Sequence, residues 1–325
     1  MDNNNNGDNN NESFKTNQQQ QQQQQQKITL SNGVTMPMIG LGTSHSGGYS
    51  HSCVVYALKQ CGYRLIDTAK RYGTEEFISY AIKECNIDRN ELFLTTKLWP
   101  IDCGFESTKQ AFRGSLRRLG IDYLDLFLIH YPEVSSNCCN DKWQTLGDTW
   151  RAFECLYDEG LIRAIGVSNY QIDDIEKQNE YGSMKPLVNQ IEFHPYHYPK
   201  DVVEYCCDNQ IQIQGYCPLG MGNLINEEQV QNIAKSIGKT AAQVLIRWSL
   251  QHNVPTIPKS TKSERVKENI SVFDFQLNDE QMKILDSFDK EIKYQDISTI
   301  REKIDQNLPD GYKLDKNLRE RLLES

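Results

Sequence analysis

Past residue 26 the chain alternates between two patterns. Short apolar or β-branched runs are separated by longer stretches with apolar residues at helical spacing. The runs lie at 38–41, 63–67, 92–96, 124–130, 164–167, 187–191, 211–216 and 255–257. Helix-period segments between them include 107–119, 143–159 and 227–237. Strands alternating with helices build a parallel sheet. Eight such units within about 250 residues predict an α/β fold closed as a (β/α)8 TIM barrel rather than an open doubly wound sheet. Ahead of the barrel, strand-like runs at 27–30 and 34–36 flank Asn32-Gly33. That pair predicts a short N-terminal β-hairpin.

Several runs end on residues that apolar packing does not explain: Asp67, Lys97, His130, Ser168-Asn169, Gln190 and Tyr216. In a closed barrel the carboxyl ends of all strands share one face, which carries the active site. These scattered positions are therefore expected in one pocket. An acid ending a buried strand is costly without a partner or a role. Lys97 is the expected partner of Asp67, and Tyr72 follows in the next loop. A phenol titrates near a pKa of about 10, too high for an ideal donor at neutral pH. A neighbouring ammonium would lower that value, so Lys97 is expected to tune Tyr72, with Asp67 holding Lys97 charged. His130 could orient a carbonyl oxygen or share its developing charge.

A phosphate site is expected near 257–265. Thr261 and Glu264 have capping-box spacing, which predicts a helix N-terminus there. Helix N-termini bind phosphate, and Lys259 and Arg265 add positive charge. Gly40-Leu41-Gly42 lacks the third glycine of a dinucleotide fingerprint and the Gly-Lys of a P-loop. His194 and His197 are spaced H-x-x-H, but Pro195 between them argues against a helix, and no metal set is expected.

Composition excludes some partners. Net charge is −9 over 325 residues, which argues against nucleic acid or an anionic membrane. Arg113, Arg117 and Arg118 read as a solvated helix face. No apolar run approaches the roughly 18 residues of a membrane span, and no signal-peptide pattern opens the chain. With ten cysteines, no CxxC pair and only vicinal pairs at 138–139 and 206–207, reduced thiols in a cytoplasmic protein are expected. Residues 1–26 are rich in Asn and Gln and end in a glutamine run. They have little to bury and are expected to be a disordered extension. Residues 27–325 are expected to form one domain, with a variable tail from about 278. Coiled-coil heptads are not evident, so a monomer is expected.

Seven segments, in order, resemble the aldo-keto reductase superfamily: GYRLIDTAKRY (62–72), LFLTTKLW (92–99), DLFLIHYP (125–132), GVSNY (166–170), NQIEFHPY (189–196), GYCPLG (215–220) and IPKSTKSERVKEN (257–269). The resemblance implies a catalytic tetrad of Asp67, Tyr72, Lys97 and His130, with Tyr72 as general acid in carbonyl reduction. It implies that Ser168, Asn169 and Gln190 hydrogen-bond a nicotinamide carboxamide, and that Tyr216 stacks on the ring. Gly42, Thr43 and Leu219 match further cofactor positions. Lys259, Ser260, Thr261 and Arg265 match the pocket for an adenosine 2′-phosphate, and Glu268 and Asn269 match adenine contacts. Two cations at a doubly charged group argue for NADPH/NADP+ over the form without the phosphate. The implied activity is reduction of small aldehydes or ketones.

The chain departs from the familiar pattern at Ser44 and Tyr131, where many of these reductases carry tryptophan. The loop after Gly220 is short, and the tail is polar. These departures predict a wider, more polar substrate mouth and a loosely clasped cofactor. Two rival readings remain on the sequence alone. One is a regulatory or structural barrel that binds cofactor without turnover. The other is a phosphate-substrate lyase or isomerase that binds no nicotinamide.

Overall fold

The computed structural model describes residues 26–44, 47–137, 141–295 and 300–305. Nearly all of the Asn/Gln-rich extension, the Cys138-Cys139 pair and the chain beyond 305 lie outside the described residues.

Two short strands, β1 (Lys27–Thr29) and β2 (Thr35–Pro37), pair antiparallel. Their five-residue connection, 30–34, is closed by Gly33 N to Leu30 O at 2.9 Å and Leu30 N to Val34 O at 2.8 Å. Gly33 sits at φ +85°, a conformation that costs glycine least. The Asn32 amide donates to Arg163 O at 2.9 Å, which ties the loop to the barrel. Leu30 and Met36 then pack with Leu65, Phe93, Leu126, Leu128 and Val188. The hairpin thus plugs one end of the barrel with apolar side chains, leaving the strands' carboxyl ends for chemistry.

The barrel strands follow: β3 (Leu41–Gly42), β4 (Leu65–Asp67), β5 (Phe93–Leu98), β6 (Leu124–Ile129), β7 (Ile162–Ser168), β8 (Val188–Glu192) and β9 (Gln212–Tyr216). All pair in parallel, each with the next in sequence. Every residue of β4, β5, β6 and β8 is buried, as expected when a parallel sheet is covered on both faces. The helices are α1 (His51–Lys59), α2 (Glu75–Cys85), α3 (Phe105–Leu119), α4 (Lys142–Asp158), α5 (Ile172–Asn179), α6 (Lys200–Asp208), α7 (Glu228–Ser236), α8 (Ala241–Gln251), α9 (Ser263–Ile270) and α10 (Asp279–Asp286). Local sequence sets their starts. Asp141 accepts from the N–H groups of Trp143 and Gln144, both at 2.9 Å. Thr240 with Gln243 and Asn278 with Gln281 form reciprocal capping boxes.

The eighth strand expected at 255–257 is reduced to Thr256, which bridges Ile39 on one side and Gly215 on the other. Pro255 and Pro258 bracket it and have no N–H to give. The seam still closes: Thr256 N donates to Met38 O at 2.9 Å and Gly215 N to Pro255 O at 2.7 Å. Two other expectations change. The helix predicted near Thr261 begins at Ser263 with Lys262 as N-cap, and no side chain caps it. Ser260 Oγ accepts from Lys262 N at 3.1 Å, so the turn closes on Ser260 and the Thr261/Glu264 box does not form. Arg118 leaves the solvated face expected for it and meets the buried Glu75 at 2.6 Å.

Candidate active site

Asp67 is the last residue of β4, and Lys97 lies near the end of the neighbouring β5. Lys97 Nζ reaches Asp67 Oδ1 at 2.6 Å and Thr68 O at 3.1 Å. Both side chains are almost fully buried, at 2% and 1% exposure. A charge pair so deep needs close geometry and further hydrogen bonds to offset desolvation. The second carboxylate oxygen has one, from Gln190 Nε2 at 2.8 Å. Gln190 also donates to Gln214 Oε1 at 2.7 Å, so a second buried amide steadies the first.

Tyr72 is placed by a single 3-10 turn, Lys70–Tyr72, ended by Gly73 at φ +66°. This turn carries the chain from β4 back over the barrel. The ammonium of Lys97 lies 5.2 Å from the Tyr72 ring centroid. His130 follows β6, and its ring meets Tyr72 edge-on at 5.7 Å, with Trp99 at 5.3 Å. Tyr131 stacks on His130 at 4.8 Å.

From the sequence, Lys97 was expected to lower the pKa of Tyr72. The folded chain reverses this: burial pushes the phenol well above its ordinary value, and Asp67, Tyr131 and Cys217 add to the rise. Burial is the largest cause, and the Asp67 carboxylate, 2.6 Å from Lys97, opposes the ammonium's effect on the phenol. Burial also pulls Lys97 down, against the opposing effect of Asp67. Tyr72 therefore holds its proton through neutral pH.

Beside these groups runs a hydrogen-bonded chain. Tyr216 OH donates to Asn169 Oδ1 at 2.7 Å, and Asn169 Nδ2 donates to His130 O at 2.9 Å. Ser168 Oγ donates to Gln190 O at 2.8 Å. Asn169 adopts φ +64°, a left-handed conformation that asparagine tolerates better than most residues. It turns the side chain between His130 and Tyr216.

One cavity of about 980 Å³ gathers most of the expected residues. Asp67, Tyr72, His130, Tyr131 and Ser44 line it, as do Ser168, Asn169, Gln190, Tyr216 and Leu219. Gly42 lines it too, and a side chain there would meet Ile257 O at 2.7 Å. At the far end are Lys259, Ser260, Thr261, Arg265, Glu268 and Asn269. Two expected residues stand behind the wall. Lys97 is absent from the lining and sits behind it, bonded to Asp67 and Thr68 O. Thr43 is buried, with its hydroxyl donating to Asp67 O at 2.9 Å, so it braces the strand end and is not part of the lining.

The far end carries excess positive charge. Lys235, Lys239, Lys262 and Arg265 join Lys259 in the lining, with Glu268 as the acid, while Lys239 is paired with Asp274 at 2.6 Å. The start of α9 points no capping side chain at its own N–H groups. A phosphate fits such a place by charge and by backbone donors.

Several wall residues escaped the sequence argument. Arg71, Trp99, Gln295, Ile300 and Lys303 line the same cavity. The tail is held down by Arg301 to Glu133 at 2.7 Å and by the buried Ile304, so the polar tail expected to leave the mouth open covers one side of it. Glu192 anchors the approach, accepting from Tyr294 N at 2.8 Å and Gln295 N at 2.9 Å. His194 also bonds Glu192 at 2.9 Å. Cys217 is a poor redox candidate, since burial pushes its thiol up to about 12.

The chain is similar to known proteins. The Aldo/keto reductase family model matches residues 38–290. An uncharacterised oxidoreductase of Caenorhabditis elegans is 49% identical over 286 residues, covering 88% of both chains. Glyoxal reductase of Bacillus subtilis is 46% identical over 266 residues, covering 81% of this chain and 93% of its own. The crystal structure of a Bombyx mori aldo-keto reductase in complex with NADP superposes with a TM-score of 0.78 at 30% identity, covering 89% of this chain and 99% of the other.

Proposed function

The chain belongs to the aldo/keto reductase family, and from that premise we propose that it reduces aldehydes or ketones to alcohols with NADPH, using Tyr72 as the proton donor. The observation that carries the reading is the buried Asp67–Lys97 pair beneath Tyr72 and His130, in a cavity that ends at a cationic cleft. Tyr216 and the Ser168–Asn169–Gln190 group would hold the ring of a nicotinamide cofactor, and Lys259 and Arg265 would hold its phosphate. When bound, the reduced nicotinamide supplies a hydride to the carbonyl carbon.

The protein's own residues handle the oxygen. His130 holds the carbonyl oxygen near Tyr72. Reduction of the carbonyl carbon would leave negative charge on that oxygen and make it far more basic than a phenolate. Tyr72 then gives up its proton although its pKa is raised. Lys97 stabilises the phenolate left behind, and Asp67 keeps Lys97 in place. Reduction needs the protonated phenol, which is the form burial favours, although a pKa raised so far makes it a weaker acid. The same rise disfavours alcohol oxidation, which needs the phenolate first.

The preference for NADPH rests on Arg265 and Lys259 at the far end. The test is steady-state NADPH oxidation by purified protein over a panel of small aldehydes, repeated with NADH. Turnover with NADPH is expected, with weaker turnover or binding with NADH. Tight NADPH binding without turnover on any aldehyde would contradict the reading.

A further inference from the structure

Behind the cavity wall lies an amide that the barrel itself does not need. Gln214, on β9, is 0% exposed and stands directly opposite Gln190 on β8. β9 pairs with β8 through backbone groups, so nothing in the ladder calls for a polar side chain at 214. The cluster that fills this part of the barrel is apolar, with Leu65, Phe93, Leu126 and Val188 among its members. Met36 belongs to it too, and Gln214 Nε2 donates to Met36 Sδ at 3.5 Å. A thioether is a weak acceptor. Burying an amide is costly unless it is hydrogen-bonded, so the bond at the other end of Gln214 has to account for it.

That end meets Gln190. Gln190 Nε2 donates to Gln214 Oε1 at 2.7 Å and to Asp67 Oδ2 at 2.8 Å. An amide nitrogen carries two hydrogens, and both are used inside the wall. Both partner atoms are acceptors, so the nitrogen of Gln190 must face them and its oxygen must face away. Gln190 lines the cavity and Gln214 does not. Among the described residues, Gln190 Oε1 accepts no hydrogen bond. What Gln190 offers a ligand is therefore an acceptor. Without an oxygen at 214, one of its N–H groups would be orphaned in an apolar interior, and turning the amide toward the cavity would relieve that cost.

We propose that Gln214 is a positioning residue for cofactor recognition: it holds the second amide N–H of Gln190, so that an oxygen and no donor faces the ring site, which then selects a nicotinamide whose side group carries an N–H. The proposal rests on the reductase reading above, in which Gln190 faces the nicotinamide. The choice between donor and acceptor at Gln190 is made by a residue that lies outside the cavity. The other N–H stays on Asp67 Oδ2, so the amide that meets the ring also braces the acid that holds Lys97.

The experiment measures dissociation constants for NADPH and for its reduced 3-acetylpyridine analogue, by quenching of tryptophan fluorescence in the full chain. In the analogue a methyl ketone replaces the carboxamide, and the N–H donor is gone. The native protein is expected to bind NADPH about tenfold more tightly than the analogue. Gln214→Met is similar in size but lacks a strong acceptor, and should cut the ratio to about threefold or less. Gln214→Glu keeps an oxygen that accepts in either protonation state, and should keep the ratio near the native one. Leu126→Ala, in the same interior, should lower the urea midpoint and leave the ratio alone. Each ratio is taken within one protein, so a smaller folded fraction does not change it. A full native ratio in Gln214→Met, a ratio lost in Gln214→Glu, or equal binding of both dinucleotides by the native protein would overturn the proposal and leave the reductase reading intact. So would a ratio that Leu126→Ala moves as far as Gln214→Met does. Failure of the native protein to bind either dinucleotide would overturn both.

Discussion

Two aspartates in this barrel are equally buried and do different things. Asp125, on β6, is 0% exposed and Asp67, on β4, is 2% exposed. Asp125 meets Arg89 at 2.6 Å and Arg163 at 2.7 Å, and accepts from Leu94 N at 2.9 Å. Its two cations reach toward solvent, and it does not line the cavity of the candidate site. Asp67 meets a lysine as buried as itself, and faces the cavity that holds Tyr72 and His130. Burial of an acid is thus no mark of function. What separates the two is where the partner's charge ends up. At Asp125 it is shared with water, and the result is a structural tie. At Asp67 it stays inside, beside a phenol, where it can respond to charge formed during a reaction.

The comparison breaks or sharpens under substitution. Asp67→Asn removes the charge that holds Lys97 in place, and kcat/KM for a generic aldehyde is expected to fall by about 10²–10³-fold. Asp125→Ala is expected to cost about 3 kcal/mol of stability, read as a lower urea midpoint, while kcat of the folded fraction stays within about twofold, since nothing in the cavity moves. Equal kinetic damage from both would erase the distinction.

Arg265→Ala comes next. It removes one of the two cations proposed to hold the 2′-phosphate, and the NADPH over NADH preference in kcat/KM is expected to drop by about 10–100-fold. An unchanged preference would remove Arg265 from the phosphate site.

A smaller effect is expected at His197, which burial holds at about 4. Below about pH 6.5 the unfolded chain takes up a proton that the native one refuses. Stability therefore falls as pH drops from about 6.5 toward 4, and the loss attributable to His197 is about 2 kcal/mol. His197→Gln should flatten that limb in urea melts at neutral and acid pH. The smallest effect is an absence of change: because Tyr72 keeps its proton, kcat/KM for reduction should stay level up to about pH 9. A fall centred near neutrality would mean that a lowered phenol pKa governs the rate.

Much of this was legible in the sequence, for a physical reason. A parallel barrel buries its strands on both faces, so a polar residue ending an apolar run stands out. Asp67, Lys97, His130, Asn169, Gln190 and Tyr216 were all visible that way. Sidedness was harder to read. Thr43 ends the same kind of run as Gly42 but turns its hydroxyl to Asp67 O and away from the cavity, and no spacing distinguishes the two. The rise at Tyr72 was also hidden, because it comes first from burial of the phenol and then from the nearby Asp67 charge, and only the fold provides either. The tail was illegible for a third reason. Among the described residues past 290 it is held by scattered contacts, the buried Ile304, the Arg301–Glu133 pair and the Glu192 bonds to Tyr294 N and Gln295 N, and none of these gives a periodic pattern.

The central claim is that Tyr72, set over the Asp67–Lys97 pair, delivers the proton. The most direct measurement is single-turnover NADPH oxidation with a generic aldehyde in Tyr72→Phe, alongside a fluorescence titration of NADPH binding. The account predicts a rate loss of about 10³-fold or more with cofactor affinity unchanged. A turnover rate within about tenfold of the native protein, at equal cofactor affinity, would contradict it.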